Sequence, residues 1–425
     1  RRPVKAMWRL YAESPACDAG ESLTGDGLAT QFFNGGFGNG EGLALPMWMP
    51  RPGYKAGTRI QVIEADRLSN PNGRPDSSLL RGGIKLNEYG APQGYWIRNS
   101  HPGDRFLSED FGLAKWTFIQ AKTDWGRKRV IHGHDKARAG QSRGVPAVAS
   151  VLQQFKVMGD FQRAELRNAV VNSMIAIILK SAIGQEGLVE LLSSDNNALK
   201  RYQEGLNNRG RSAIDMGAGG KILTLPLGED AQSFAPARPT TAYDPFVTNV
   251  MRHIGVGLNI PYELLMKDFS KTNYSSARAS LLEAWRFFIG RRTWLAQMFY
   301  QPIYELWLEE MVNAGEIEAP DFYENRDAYC RARWIGPGRG WVDPLKEAEA
   351  AEKRMDIFVS TLEDECAEQG KDWEEVLEQR AEEEARLKEL KLERAEKPAM
   401  ARAPKAEAPG TAKDEEWNGA ERRAA

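Results

Sequence analysis

The sequence predicts an α+β fold, and three observations carry that expectation. Residues 1–142 hold short runs of alternating polar and apolar side chains separated by clusters of Gly and Asn, the pattern of strands and turns. At Val145 the period changes, and Val148, Leu152, Phe155, Met158, Phe161 and Leu166 follow helical spacing. From about Ser275 a broad apolar stripe runs through Leu282, Trp285, Ile289, Leu295, Phe299, Ile303, Leu306 and Val312, which predicts a long amphipathic helix.

Taken in order, Arg59–Ile63 alternates like a strand, and Gly83–Asn87 and Gly94–Arg98 read as a hairpin turning at Gly90. Trp116–Ile119 is a further strand. Gly and Asn punctuate the chain at 35–42 and again at 70–73, which reads as loop. Pro146 suits the first turn of a helix, where its missing N–H costs nothing, and the pattern continues to about Leu179 as one helix or two. Ser193–Gly210 reads as an exposed loop, and Lys221–Leu225 as a short strand after the Gly217–Gly220 turn. Asp244-Pro245 is an N-cap and N1 pair for a helix ending near Gly257. Pro302 should kink the long helix. Asp343-Pro344 should start a helix that Gly370 stops, and Asp372 with Glu375 forms a capping-box arrangement for another. From Pro398 the Ala/Pro/Lys/Glu composition has no periodicity and reads as a disordered tail.

The chain has 425 residues, with 57 Lys and Arg against 59 Asp and Glu. A net charge of -2 excludes a generally basic nucleic-acid coat. The balance hides a basic stretch from Lys115 to Arg143 and a strongly acidic region over 345–397. Cys17, Cys330 and Cys366 are odd in number and far apart, so neither a disulfide framework nor a Cys-x-x-Cys site is expected, and a reducing compartment fits. The apolar run Ala169–Leu179 is too short for a membrane span, which takes about 20 residues. The first residue is Arg1 rather than Met, so the expectation is a fragment, a processed product or an incomplete gene.

Catalytic chemistry finds little support. Gly140-Gln141-Ser142-Arg143-Gly144 matches the Gly-x-Ser-x-Gly nucleophile elbow, but the elbow needs a buried strand running into the turn, and Asp135–Ala139 is too polar to be one. The bland reading is a Gly-flanked approach to the Pro146 helix. His132-Gly133-His134-Asp135 places two imidazoles at i and i+2, which would suit zinc or iron, against the simpler reading of surface histidines at a strand end. Gly217–Lys221 lacks the first Gly and the Ser/Thr of a phosphate loop. Two competing classes are therefore a hydrolase using Ser142 or His132/His134, and a nucleic-acid binder using the cations from Arg127 to Arg143. No cofactor is expected.

Gly257-Leu258-Asn259-Ile260-Pro261-Tyr262-Glu263-Leu264-Leu265-Met266-Lys267-Asp268-Phe269-Ser270-Lys271-Thr272-Asn273-Tyr274-Ser275-Ser276-Ala277-Arg278 closely resembles the signature of lambda-type tailed-phage portal proteins. Four further pieces agree in the same order. They are Trp8 through Cys17-Asp18-Ala19-Gly20, Gln61–Leu68, Gly140–Pro146, and Trp334-Ile335-Gly336-Pro337 through Asp343-Pro344. The resemblance spans roughly residues 8–360. It departs from the family at the N-terminus, where members carry a further region, and at Gly35–Gly42, where a longer helix-and-strand passage is usual.

The resemblance implies a portal-type fold with a β-rich wing, long stem helices, a small clip and a helical crown, assembling as a ring of twelve copies. Its regions would be wing 1–143, stem 144–183, clip 184–242, second stem helix 243–262, tunnel loop 263–276, second wing part 277–342, crown 343–395 and tail 396–425. The ring would form a channel for double-stranded DNA at one capsid vertex, without catalysis. Partners implied are the chain itself, sequence-independent DNA, the terminase large subunit, a head–tail joining protein, and the major capsid protein or scaffold, with no membrane. The implied location is the virion, and the host cytoplasm during assembly. The tunnel-loop contacts would be Lys267, Asp268, Ser270, Lys271, Thr272, Asn273 and Ser275. Arg127, Lys128, Arg129 and Arg143 would meet neighbouring subunits or DNA.

Overall fold

A computed structural model describes residues 2–104, 115–174, 178–181, 214–215, 221–222, 229–232, 243–340 and 343–392. The chain divides into two compact units, Arg1–Trp334 and Ile335–Ala425. Helix α1 (Arg2–Ala12) and helix α2 (Gly25–Gly38) precede the strands β1 (Glu41–Trp48) and β2 (Thr58–Ile63). Two helices thus lie in the region expected to be β-rich. Strands β3 (Leu80–Arg81), β4 (Ile84–Leu86), β5 (Pro92–Arg98), β6 (Trp116–Gln120) and β7 (Ile131–His134) follow. They make two antiparallel sheets, in the orders β2-β1-β7 and β3-β4-β5-β6. The β4–β5 hairpin turns where the sequence placed it, with Gly90 at φ 78°.

The stretch 35–42 is not a loop. It is the end of the 14-residue α2 and the start of the eight-residue β1, so a helix and a strand occupy a stretch that reads as loop. Gly36 is a contact point: a Cβ there would lie 2.7 Å from the Trp294 ring. The helix tolerates its glycines because tertiary packing outweighs propensity.

Beyond β7, a 3-10 turn Ala147–Val151 leads into α3 (Leu152–Met174). The expected continuation to Leu179 fails, since Ile178–Ser181 is a strand, β8, paired with Glu229–Gln232. Branched Ile178 at the head of β8 suits a strand better than a helix. Ile214–Asp215 pairs Lys221–Ile222, so a short strand does begin at Lys221. The expected loop Ser193–Gly210, the Gly217–Gly220 turn, the remaining clip residues and the tail from 396 lie outside the described residues.

Helix α4 (Tyr243–Leu258) begins one residue before Asp244-Pro245. Asn259 at φ 56° ends it, and α5 (Tyr262–Met266) follows. The long helix is α6 (Tyr274–Leu295), a π-helical turn Ala296–Tyr300, and α7 (Gln301–Asn313). Pro302 does not break it. Its ring would collide with the carbonyl four residues back in a regular helix, and the π turn, closed by the Gln301 N–H on the Ala296 carbonyl, accommodates it.

The core of the first unit joins α1, α2, β1, β2 and α7, with Phe32 and Trp307 fully buried. Trp8 lies edge-on to Tyr304, Trp307 and Trp334 at centroid distances of 5.3, 5.3 and 5.8 Å. Val151, Ile254 and Leu258 pin the start of α3 to α4.

In the second unit, the helix expected from Asp343 to Gly370 is two: α8 (Pro344–Asp356) and α9 (Leu362–Glu368). Phe358 at φ 59° breaks the chain between them, and Thr361 caps α9 by accepting the Asp364 N–H at 3.2 Å. Arg354 holds the two together through a fork to Glu365 at 2.9 and 2.7 Å. Asp372 caps α10 (Trp373–Glu389) as the sequence indicates, accepting from the Glu374 N–H. None of these three helices buries a residue. Among the described residues no helix is long and apolar enough to cross a membrane.

Candidate functional site

The segment between α5 and α6 is a short loop, because α5 occupies the first residues of the expected tunnel loop and Tyr274 already belongs to α6. Lys267 ends α5 in the left-handed conformation at φ 54°, a conformation usually filled by Gly or Asn at this position. Asp268 accepts the Ser270 N–H at 3.0 Å, and the Thr272 hydroxyl donates to the Phe269 carbonyl at 3.0 Å. Asn273 caps α6, accepting the Ser276 N–H at 2.8 Å. The hydrogen bonds from Ser270 hold the Asp268 carboxyl below its ordinary range. The side chains of Asp268 and Asn273 thus shape the backbone, while Lys267, Ser270, Lys271 and Ser275 are exposed. Met266, Phe269 and Tyr274 are exposed beside them. The loop offers two exposed ammonium groups, a polar rim and apolar faces on a backbone held by its own side chains.

The basic stretch splits in two. Lys122–Lys128 is a tight hairpin: the Thr123 N–H bonds the Arg127 carbonyl at 2.8 Å, and the Arg129 N–H bonds the Ala121 carbonyl at 3.0 Å. Lys128 and Arg129 are exposed. The Arg127 guanidinium donates to the Thr58 hydroxyl at 2.9 Å.

Arg143 does something different. Its Nε donates to Glu41 Oε1 at 2.6 Å, and Nη1 donates to the Leu68 and Gly82 carbonyls at 2.7 and 2.6 Å. Nη2 donates to the Ala65 carbonyl at 3.1 Å and pairs with Glu41. A guanidinium has five N–H donors, and these contacts use them. Arg143 is therefore committed inside its own subunit, not held out for a neighbour or for DNA.

Glu41 is the residue that sequence reading missed. Its other oxygen accepts from His132 Nε2 at 2.9 Å and from the Gly144 N–H at 3.2 Å. Burial alone would raise its pKa, but the hydrogen bonds from His132 and Arg143 outweigh burial and hold it near 2. The signal was a carboxylate between Gly40 and Gly42 at the head of an otherwise apolar run. Gly144 needs to be glycine because a Cβ would meet the Gly40 carbonyl oxygen. The Gly-rich match around Ser142 is therefore a close backbone crossing. β7 ends at His134, well before Ser142, and neither His132 nor His134 bonds the serine.

The simpler reading of surface histidines does not hold: the His132 side chain and both His134 ring nitrogens are buried. The His132 ring stacks on His134 at 4.4 Å and meets Tyr95 edge-on at 5.6 Å. Both His134 ring nitrogens are buried without a partner. Burial, then the charge of His132, pushes the His134 pKa down to about 4. Among the described residues no group of His, Cys, Asp and Glu could hold a metal ion.

Residues 1–292, which include the loop and the Glu41–Arg143 knot, match the family described as "Phage portal protein, lambda family". The chain belongs to that family. It is 31% identical over 400 residues to the portal protein of Escherichia phage N15, covering 90% of this chain and 73% of that protein. Identity to portal protein B of Escherichia phage lambda is 29% over 401 residues, with the same coverage. A probable portal protein of Halomonas phage phiHAP-1 is 22% identical over 351 residues, 81% of this chain and 62% of that one. Among solved structures, the neck of an empty GTA particle is similar at 14% identity and a TM-score of 0.41, over 77% of this chain and 83% of that chain.

Proposed function

We propose that the chain is the subunit of a twelve-membered portal ring at one capsid vertex, through which double-stranded DNA is packaged and ejected. In this reading residues 1–143 and 277–342 form the wing, 144–183 and 243–262 the stem, 184–242 the clip and 343–395 the crown. The loop at Lys267–Asn273 lines the channel. The terminase large subunit docks during packaging, a head–tail joining protein afterwards, and the capsid protein or scaffold surrounds the ring. The subunit works in the virion after assembly in the host cytoplasm. No catalytic step is assigned to it.

Membership of the portal family supports the reading, and the observation that carries the site is the exposure of Lys267 and Lys271 on a self-shaped loop. A channel must touch DNA without gripping it. Each neutralised phosphate steepens salt dependence by a log–log slope of about -0.9. Two cations per subunit, few of them engaged at once, keep that affinity low. The test is packaging in vitro with the cognate motor, using Lys267→Ala with Lys271→Ala. Reduced packaging or retention by intact rings is expected. Parent-like packaging across a salt series would remove the loop from the DNA path.

A further inference from the structure

We propose that the first unit carries a docking groove for an extended, acidic peptide segment of a partner protein, which adds a short strand to the free edge of β1. The groove arises where two paired strands separate. The Met49 N–H bonds the Gly57 carbonyl at 2.7 Å, so by the alternation of an antiparallel ladder the odd-numbered residues of β1 face β2 and the even-numbered ones face β7. β7 pairs only with Glu41–Ala44. Continued, the same register would set Pro46 against Arg129 and Trp48 against Arg127. The chain instead peels away, because the Arg127 carbonyl and the Arg129 N–H bond back to Thr123 and Ala121 in the hairpin. The Pro46 carbonyl and both backbone groups of Trp48 are left facing a groove of about 1110 Å³.

The walls describe the occupant. Trp48, Trp125 and Tyr323 line the groove yet are 64%, 74% and 64% exposed, a large apolar area for a protein to leave in water. Lys128 and Arg129 stand on the rim, exposed and without a carboxylate partner among the described residues. The one carboxylate in the lining, Glu309, already faces Arg326 at 3.9 Å. A sheet edge supplies main-chain bonds, aromatic walls take alternate apolar side chains, and the rim selects negative charge, which is recognition by strand addition. A DNA duplex would reach only the rim. Pro46 lacks an N–H, so it blunts the edge and keeps the added strand short.

The test uses the full chain and a fluorescein-labelled heptapeptide, Asp-Glu-Val-Leu-Val-Glu-Asp, followed by anisotropy and by hydrogen exchange. Saturable binding is expected, with slowed exchange at the Trp48 amide, as strand addition requires. Lys128→Glu with Arg129→Glu should weaken it about fivefold, the scale of two exposed charges. Pro46→Val restores the missing donor and should tighten it, an effect that charge attraction alone would not produce. The proposal is overturned if the acidic peptide binds no better than its lysine counterpart, or if it binds without protecting Trp48. It is also overturned if a random-sequence duplex displaces it, which would assign the rim to DNA, or if Trp48 is already protected in peptide-free rings, which would assign the edge to a second copy.

Discussion

The Glu41–Arg143 knot and the Lys267–Asn273 loop look alike in sequence. Both are basic, Gly- or Ser-rich connections that lead into a long helix, and both fall inside the portal-family match. In space they are opposites. At the knot each N–H of a guanidinium meets an acceptor, and a buried carboxylate faces a histidine, an arginine and a backbone amide. In the loop, backbone and capping side chains are bonded while the two ammonium groups are exposed. Cations that build a fold are distinguished from cations available to a ligand by where the acceptors lie, and no residue count reveals that.

The contrast is broken most directly by Glu41→Ala. Removing one partner of a buried ion pair leaves an uncompensated charge and costs about 3–5 kcal/mol. Denaturant unfolding should show a loss of that size, with Arg143→Lys giving a smaller one, because the charge opposite Glu41 is kept and only the fork to the several acceptors is lost. A loss below about 1 kcal/mol would mean that the knot is incidental.

Acid offers the next largest effect. The Glu41 pKa is depressed from 4.5 to about 2 in the folded chain, so its contribution is present above the unfolded value and is lost as pH falls from about 4.5 to 2. The His134 pKa is depressed from 6.5 to about 4, so the unfolded chain binds the proton first and stability also falls from pH 6.5 to 4. Melting temperature should therefore decline in two stages on acidification, and His134→Gln should flatten the upper stage alone. An unchanged upper stage in that variant would place its origin elsewhere.

The loop variant Lys267→Ala with Lys271→Ala should leave thermal stability within about 0.5 kcal/mol per site, as exposed substitutions usually do, while DNA handling changes. Ser142→Ala should do least, altering neither stability nor ring formation, and a serine-directed phosphonate should label neither form. Labelling of the parent that the substitution abolishes would restore the hydrolase reading.

Much of this was legible beforehand where one local rule decides the outcome. Alternation gave β2 and β6, Gly90 turned the β4–β5 hairpin, and Asp372 capped α10. What escaped depended on partners distant in sequence. Gly36 reads as a helix breaker until Trp294 lies against it. Phe358 carries no breaking signal of its own, and Thr361 capping α9 is what makes the interruption favourable. Glu41 takes its character from Arg143, about a hundred positions away. The loop around Lys267 stands out in the sequence by its resemblance to a family's order of residues, not by any chemistry of its own.

The π turn before Pro302 also sets azimuth. One extra residue per turn rotates everything beyond it by roughly 100° relative to an unbroken helix. On the near side of that step α6 buries only Ala284, whereas on the far side α7 buries eight residues, Trp307 among them. The single rod therefore aims its two halves independently, one anchored in its own subunit and the other presenting Leu282, Phe288 and Ile289 outward. Deleting one residue from Ala296–Tyr300 would force both halves into a common phase, and with Trp307 locked in the core, α6 would be the half that swings.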